Sequence, residues 1–404
     1  MSLDSSASHK NTSSSQSDYL DNEPLLKVKA DFDLLAYAYQ KPELTGLLKT
    51  YPEDFRVNEI SNTVFTEEGE HLWCWVEKRG QNTDWVAGML AKWANTSKHN
   101  VGFAGQKDRQ AITKQWFSIQ LPGKANPDPA TLDIEGVSIL EMHRHNKKLQ
   151  RGDLIGNQFT LVLRDVCCRN ESLSKADLIE SLDKKLSLIQ KNGVPNYFGE
   201  QRFGRDGNNL VQGAKLLLGG QQRHSRSRKR GAKNKNGNQN QQGLYISALR
   251  SWMFNELLNE RIKQGSWHNI QLGDLLKDLD SHEFILVETE EVLDESQQKL
   301  QQGTLELTGG LFGDGPLPTA YKPRELEETV VKNYQAWCDG LSQNRVKPDR
   351  RSLGLMPQNL TWSFEEITNG DLDNKTGLNL ILQFALPAGS FATMVLREIL
   401  QVSG

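Results

Sequence analysis

Apolar and polar residues follow two different periods along this chain, and the boundaries between those periods outline its elements. A period of two, or a short run of β-branched and aromatic residues, marks Phe55-Arg56-Val57-Asn58-Glu59-Ile60, Leu72-Trp73-Cys74-Trp75-Val76, Phe117-Ser118-Ile119-Gln120-Leu121 and Phe159-Thr160-Leu161-Val162-Leu163 as strands. A period near 3.6 takes over at residues 83–93, where Trp85, Val86, Met89, Leu90 and Trp93 share a face and Asn82 or Thr83 suits the cap. Residues 173–189 predict a second amphipathic helix, closed by Lys191-Asn192-Gly193. Helices dominate after Asn208: residues 246–264 place Leu249, Trp252, Met253, Leu257 and Ile262 on one side, and residues 325–341 form another. Between these two, Thr304-Leu305-Glu306-Leu307 alternates like a strand, and residues 309–316 are a turn-rich loop. Strands return at residues 360–364 and 378–384, and a final helix follows Ser390, whose hydroxyl suits an N-cap.

Sheet, then helices, then sheet again predicts an α+β fold in which one domain is interrupted by another. The expected sheet domain spans residues 31–192 and 353–404, and the more helical insertion spans 193–352. The chain has 404 residues, enough for two or three domains. No apolar run approaches the roughly 20 residues of a membrane span. Residues 1–30, rich in Ser and Asp, predict a disordered tail without a secretion signal. The four cysteines, Cys74, Cys167, Cys168 and Cys338, form no C-x-x-C pair, which predicts a reducing, cytoplasmic setting and argues against structural zinc.

The net charge is −3, yet its distribution is uneven. Residues 223–235 hold seven Lys/Arg and no acid, inside a low-complexity stretch, 221–242, expected to be disordered without RNA. Arg144, His145, Lys147, Lys148 and Arg151 form a second basic cluster. Phosphate binding needs a positive face, whatever the total. His143 and His145 alternate without a cysteine or acid beside them in the sequence, which favours solvent or RNA over a metal.

Gly102-Phe103-Ala104-Gly105-Gln106-Lys107-Asp108-Arg109 is the most chemically suggestive segment. Positive neighbours favour the ionised form of a carboxylate, and an ionised Asp at a loop-to-strand junction suits a nucleophile or general base. A surface charge triplet in a turn is the plainer reading. Side chains of strand neighbours point to opposite faces, so at most one side of the triplet can share a pocket with Asp108.

Gly105-Gln106-Lys107-Asp108, with Ala111, Thr113 and Gln115 after it, resembles the signature of the TruD family of tRNA pseudouridine synthases. Further blocks resemble the family in order: Pro52-Glu53-Asp54-Phe55-Arg56-Val57-Asn58-Glu59; Gly69-Glu70-His71-Leu72 with Lys78, Asn82 and Thr83; Gly156-Asn157-Gln158-Phe159-Thr160-Leu161; residues 193–204, which include Asn196-Tyr197-Phe198-Gly199-Glu200-Gln201-Arg202-Phe203-Gly204; and Leu386-Pro387-Ala388-Gly389-Ser390-Phe391-Ala392-Thr393 with Arg397-Glu398. The likeness runs from about Gly46 to Leu400.

That resemblance implies a pseudouridine-synthase sheet, mixed but mainly antiparallel and flanked by helices, with a TRUD insertion forming one wall of an RNA cleft. It implies isomerisation of uridine to pseudouridine in tRNA, with uridine 13 as the usual target, without cofactor or metal. Asp108 becomes the catalytic carboxylate. Three roles are open to it: attack at the ribose anomeric carbon, deprotonation of the ribose towards a glycal, or action at the uracil ring. The target nucleotide must leave its stack, and the resemblance casts Phe159 as the stacking platform and Asn157 as its polar companion. Read alone, Phe159 is a core residue opening a strand. Lys49 resembles a family lysine beside the catalytic Asp; read alone it is a solvated loop lysine. Lys107 and Arg109, with Arg202, Phe198, Arg144 and Lys148, complete the expected supporting or RNA-binding set. The expected partner is tRNA and the expected state a monomer. A non-catalytic RNA-binding protein on the same scaffold, and a hydrolase that releases uracil, are the alternatives.

Overall fold

The computed structural model describes residues 23–26, 28–169, 173–218, 235–366 and 377–403, with the side chains of 23–24 and 235–240 left aside. The chain forms two compact units, one of Tyr37–Asn196 with Leu355–Gly404 and one of Met1–Ala36 with Tyr197–Gly354.

The first is a sheet unit. Its strands are β1 (Leu44–Leu48), β2 (Phe55–Ile60), β3 (His71–Arg79), β4 (Val101–Phe103), β5 (Ile112–Gln120), β6 (Val137–His145), β7 (Gly156–Cys168), β14 (Gln358–Glu366), β15 (Leu378–Pro387) and β16 (Gln401–Ser403). They join one sheet in the order β14-β15-β7-β2-β5-β3-β6, with β4 on β5 and β1 bridging β7 and β16. Only β2–β5 and β1–β16 run parallel. The expected α+β, mainly antiparallel sheet is therefore present. β7 is long enough to pair β2 along its first half and β1 along its second.

One face of this sheet carries most of the core, and a smaller cluster of Trp73, Ala104, Trp116 and Leu149 is buried on the other. Leu161, Leu163, Leu380, Leu382 and Phe384 pack beneath α3 (Lys175–Asn192) and α9 (Ala392–Ile399). Leu72, Cys74, Val76, Phe117 and Ile119 pack beneath α2 (Thr83–Trp93). Asn82 caps α2 by accepting from the amides of Asp84 and Trp85, and Ser174 caps α3 by accepting from Asp177. Gly193, at φ 73°, ends α3 in a backbone region that side chains disfavour, as its sequence signal predicts. The short β8 (Val194–Pro195) follows.

The second unit holds α1 (Glu23–Leu26), α4 (Asn208–Leu218), α5 (Lys235–Lys263), α6 (Glu290–Gln301), α7 (Tyr321–Asn333) and α8 (Gln335–Gln343), around a sheet ordered β10 (Phe284–Leu286), β9 (Leu275–Asp278), β11 (Leu305–Leu311), β12 (Asp349–Ser352). The short β13 (Gly354–Leu355) lies where the chain passes between the units. Leu249, Trp252, Met253, Leu257 and Ile262 are all buried, as the helical period predicts.

Four local expectations change. Residues 325–341 are two helices, because Tyr334 leaves helical geometry at φ −119°, where its ring packs on Trp337 and its hydroxyl meets the Trp252 indole. Gly309 and Gly310 belong to β11, not to a loop. Gly309 has no room for a side chain there: a Cβ would lie 2.7 Å from Leu353. The last helix begins at Ala392 with Phe391 as its cap residue. Ser390 sits one step too early, because the Pro387–Ser390 turn through Gly389 at φ 81° takes up its amide. Finally, α5 starts at Lys235, so the end of the expected 221–242 loop is helical. Residues 221–234 of that loop, and residues 1–22 and 27 of the tail, lie outside the described residues; residues 23–26 of the tail form α1.

Candidate functional site

Asp108 lies in the loop between β4 and β5, above the core face of the sheet unit. Three features hold its position. The carboxylate accepts the Gln110 amide through Oδ1 at 3.0 Å, and its Oδ2 is ion-paired with the Lys49 ammonium. Its main-chain carbonyl accepts from Lys78 Nζ at 2.9 Å. The side chains of Asp108 and Lys49 remain 23% and 21% exposed, so the pair is open to a ligand.

Lys49 reaches Asp108 from a strained turn. It follows β1 at φ 62°, a left-handed conformation unusual for a side-chain-bearing residue. Arg164 grips the fully buried Asp54 through three contacts of 2.7–3.0 Å, and Asp54 accepts the Tyr51 amide at 2.9 Å. This clamp fixes the turn of residues 49–54. The Phe55 ring lies 4.4 Å beneath the Lys49 ammonium.

The strand register explains why the loop sits where it does. Phe384, Phe159, Val57, Thr113 and Lys78 are paired across five strands and therefore share a face. In the next row Asn157 pairs with Glu59, and Gln115 with Val76. Polar members of these rows anchor the loop. Gln115 donates to the Gly105 carbonyl at 3.1 Å, and Thr83 accepts the Lys107 amide at 3.0 Å while donating to Gln115. Glu59 binds the Lys107 ammonium at 3.1 Å; their side chains are 0% and 6% exposed. Burial pushes the Glu59 carboxyl above its usual range, and Lys107 opposes that shift. Lys107 thus turns down into the sheet while Asp108 turns towards Lys49. Arg109 donates to the Gly80 carbonyl at 3.2 Å, on an exposed edge.

Asn157 and Phe159 point from β7 to this same face. Asn157 Oδ1 is buried and has no hydrogen-bond partner among the described residues. Phe159 is core, 7% exposed, with one ring face stacked on Phe384 at 5.5 Å and Phe55 against it edge-on.

The remaining expected contacts are not brought to Asp108 within the sheet unit. Arg144 donates to Asn126 and to the carbonyls of Gly69, Leu121 and Lys124, which shapes a surface turn. Lys148 donates to the His99 carbonyl at 2.5 Å. Arg202 and Phe198 belong to the other unit. Arg202 donates to Ser251 and Ser247 and lies over the buried Phe198 ring, and burial lowers its pKa. Its fork is therefore engaged inside its own unit. His143 does have an acid beside it, Glu67 Oε1 at 2.8 Å, contributed by a loop far off in sequence, and it stacks on Phe65. Among the described residues no group of His, Cys, Asp or Glu has the arrangement of a metal site, and no helix is long and apolar enough to cross a membrane.

Sequence reasoning passed over Glu59, Lys78, Thr83 and Gln115 as functional positions. One signal was available: Lys78 falls on the apolar side of an alternating strand, in step with Leu72, Cys74 and Val76.

The architecture is shared with a solved structure from Methanosarcina mazei, described as a candidate tRNA pseudouridine synthase D. The TM-score is 0.70 at 24% identity, covering 91% of this chain and 98% of that one. At that identity the likeness speaks for the fold alone. Sequence comparison goes further. The profile of the family tRNA pseudouridine synthase D (TruD) matches residues 31–227 and 228–399. The tRNA pseudouridine synthase D of Hydrogenovibrio crunogenus is 42% identical over 367 residues, covering 91% of this chain and 96% of its own length. That of Aeromonas hydrophila is 41% identical over 367 residues, covering 91% and 94%. The chain belongs to the TruD family of tRNA pseudouridine synthases.

Proposed function

We propose that this protein converts uridine 13 of tRNA to pseudouridine, with Asp108 as the catalytic carboxylate. As a TruD-family enzyme it is an isomerase, a tRNA pseudouridine synthase. The observation that carries the residue assignment is Asp108 itself: a part-exposed carboxylate, paired with Lys49 and held through its own backbone by Lys78. A carboxylate on such a rigid mount can be aimed at a single ligand atom. A surface charge triplet would have neither a buried cation under its main chain nor a clamped partner turn.

In the reaction the bond from ribose C1′ to uracil N1 breaks, the uracil turns, and C1′ bonds to C5. A proton leaves C5 and one is gained at N1, so no redox equivalent enters. Asp108 serves either by adding to C1′ or by taking a proton from the ribose to give a glycal. The flipped uracil meets Phe159, and the unpartnered Asn157 Oδ1 accepts from its imide or ring N–H. Lys107 acts on the loop through Glu59, not on the substrate. Arg109, exposed beside Asp108, serves as a phosphate contact on this unit. The other unit, Tyr197–Gly354, corresponds to the family's insertion, and the enzyme acts as a cytoplasmic monomer on tRNA.

Treating tRNA transcripts with the enzyme and mapping pseudouridine by its specific chemistry tests the target. Modification at position 13, lost when that uridine is replaced by cytidine, is expected. Modification elsewhere removes the position assignment, and free uracil in place of pseudouridine would convert the reading to a hydrolase.

A further inference from the structure

We infer that Lys78 is a positioning residue for the reaction: its buried ammonium holds the Asp108 main chain in place, and turnover depends on that ammonium staying charged. This rests on Asp108 being the catalytic carboxylate. Lys78 is 0% exposed. A lysine at such a site costs stability unless it is well paired, and an apolar residue of similar volume would fill the space at lower cost. Among the described residues Lys78 makes no direct ion pair. Its ammonium instead donates to two main-chain carbonyls from different segments, Gln81 at 2.8 Å and Asp108 at 2.9 Å. Gln81 lies in the turn between β3 and α2, and Asp108 in the loop between β4 and β5. One side chain therefore ties the loop carrying the carboxylate to the end of β3, one strand in from the sheet edge.

The nature of the bond matters. The loop's other side-chain anchors at Gly105 and at the Lys107 amide, from Gln115 and Thr83, are neutral hydrogen bonds. A charge-assisted bond is about twice as strong as a neutral one. Lys78 makes the only such bond to the Asp108 carbonyl among the described residues, at the residue whose placement decides the chemistry.

The charge is also close to its limit. Burial lowers the Lys78 pKa to about 8, the Asp108 carboxylate opposes that fall, and Lys107 adds to it. The strand neighbours facing Lys78, Thr113 on β5 and Val137 on β6, carry no charge, nor does Thr83 of α2. Glu59, in the next row, is occupied by Lys107. Well below pH 8 the ammonium is charged; as pH rises through about 8 the charge, and the stronger grip on the carbonyl, are progressively lost.

The test is the single-turnover rate on a tRNA transcript between about pH 6 and 9.5, with tRNA affinity measured alongside. Wild type should lose rate on the alkaline side with a midpoint near 8. Lys78→Arg, which keeps its charge, should move that limb upward, whereas a limb belonging to the uracil would stay. Lys78→Met should lose about tenfold or more at neutral pH, the kinetic equivalent of one charge-assisted bond, with tRNA affinity unchanged and no limb near 8. A Lys78→Met enzyme of near wild-type rate, or a limb indifferent to Lys78→Arg, overturns the proposal. Should neither variant fold, amide exchange of residues 104–111 in tRNA-free wild type decides: protection, corrected for intrinsic rates, should fall across pH 8, and constant protection refutes it. Failure of the underlying reading looks different, because Asp108→Asn would then be active. An inactive Asp108→Asn beside a fully active Lys78→Met removes Lys78 alone.

Discussion

The buried pair of Lys107 and Glu59 allows a prediction whose size and pH dependence both follow from the structure. In Lys107→Met the stem is replaced almost atom for atom and the ammonium is removed. Glu59 is left with a 3.4 Å bond from the Trp116 amide and no counter-charge, at a site where its side chain is 0% exposed. Removing one partner of a buried ion pair costs about 3–5 kcal/mol. For a unit of this size each kcal/mol lowers Tm by about 2–4 °C, so even the low end of that range predicts a fall of roughly 6–12 °C at neutral pH. The loss should shrink in acid. Burial already holds the folded Glu59 carboxyl above its ordinary value, and removing Lys107 removes the positive charge that opposes this shift. A carboxyl raised on folding incurs no penalty while it is protonated in both states. The penalty appears as pH climbs past the ordinary carboxylate value, about 4.3, and grows until the folded group ionises. Calorimetry of wild type and Lys107→Met at about pH 5 and pH 7.5 should therefore give a smaller Tm gap at the lower pH. Adding Glu59→Gln should recover most of the gap at pH 7.5, because the uncompensated charge is gone. A gap under about 2 °C, or one equal at both pH values, would refute the account of a buried, mutually compensated pair.

Two further outcomes follow from other parts of the molecule. Gly102 of β4 leaves no room for a side chain: a Cβ would lie 2.1 Å from the Leu149 carbonyl oxygen and 2.8 Å from Ser118 Oγ. Gly102→Ala should lower stability by about 1–3 kcal/mol, read by urea unfolding, and should slow turnover by displacing the strand that leads to Asp108; an unchanged midpoint would show that β4 yields freely. Deleting residues 221–242, with their run of cations and the first turns of α5, should weaken tRNA affinity and flatten its dependence on salt; a filter-binding slope equal to wild type would show that these cations do not meet the tRNA.

β2 was legible because one of its faces is buried and the other wet, which imposes a strict period of two; β5, buried on both faces over residues 115–119, and β15, buried in runs at both ends, were read from their β-rich composition and from the part of each that still alternates. α2 and α3 were legible because Asn82 at the start of one and Gly193 at the end of the other have local chemistry that a sequence displays directly. Readings failed where a long-range contact overrides local preference. The helix break at Tyr334 is set by Trp337 and Trp252, and the displaced start of α9 by the turn at Gly389. Charges were the hardest. Arg144, Arg202 and Lys78 look alike in a sequence, yet one braces a surface turn, one braces the interior of a unit and one lies beneath Asp108. Only register decides such cases, because a cation's partners come from strands and loops tens or hundreds of residues away. Asp108 was found by family likeness; its mounting was not, since Glu59, Thr83 and Gln115 converge on the loop from three separate elements.

The most direct test of the central claim is a pseudouridine-specific map of tRNA incubated with wild type and with Asp108→Asn, with folding and tRNA binding checked for both. The account predicts one new pseudouridine with wild type and none with Asp108→Asn, which should fold and bind as before. Substantial pseudouridine formation by Asp108→Asn would contradict it, and tight binding without modification by either protein would point to an RNA-binding protein on the same scaffold.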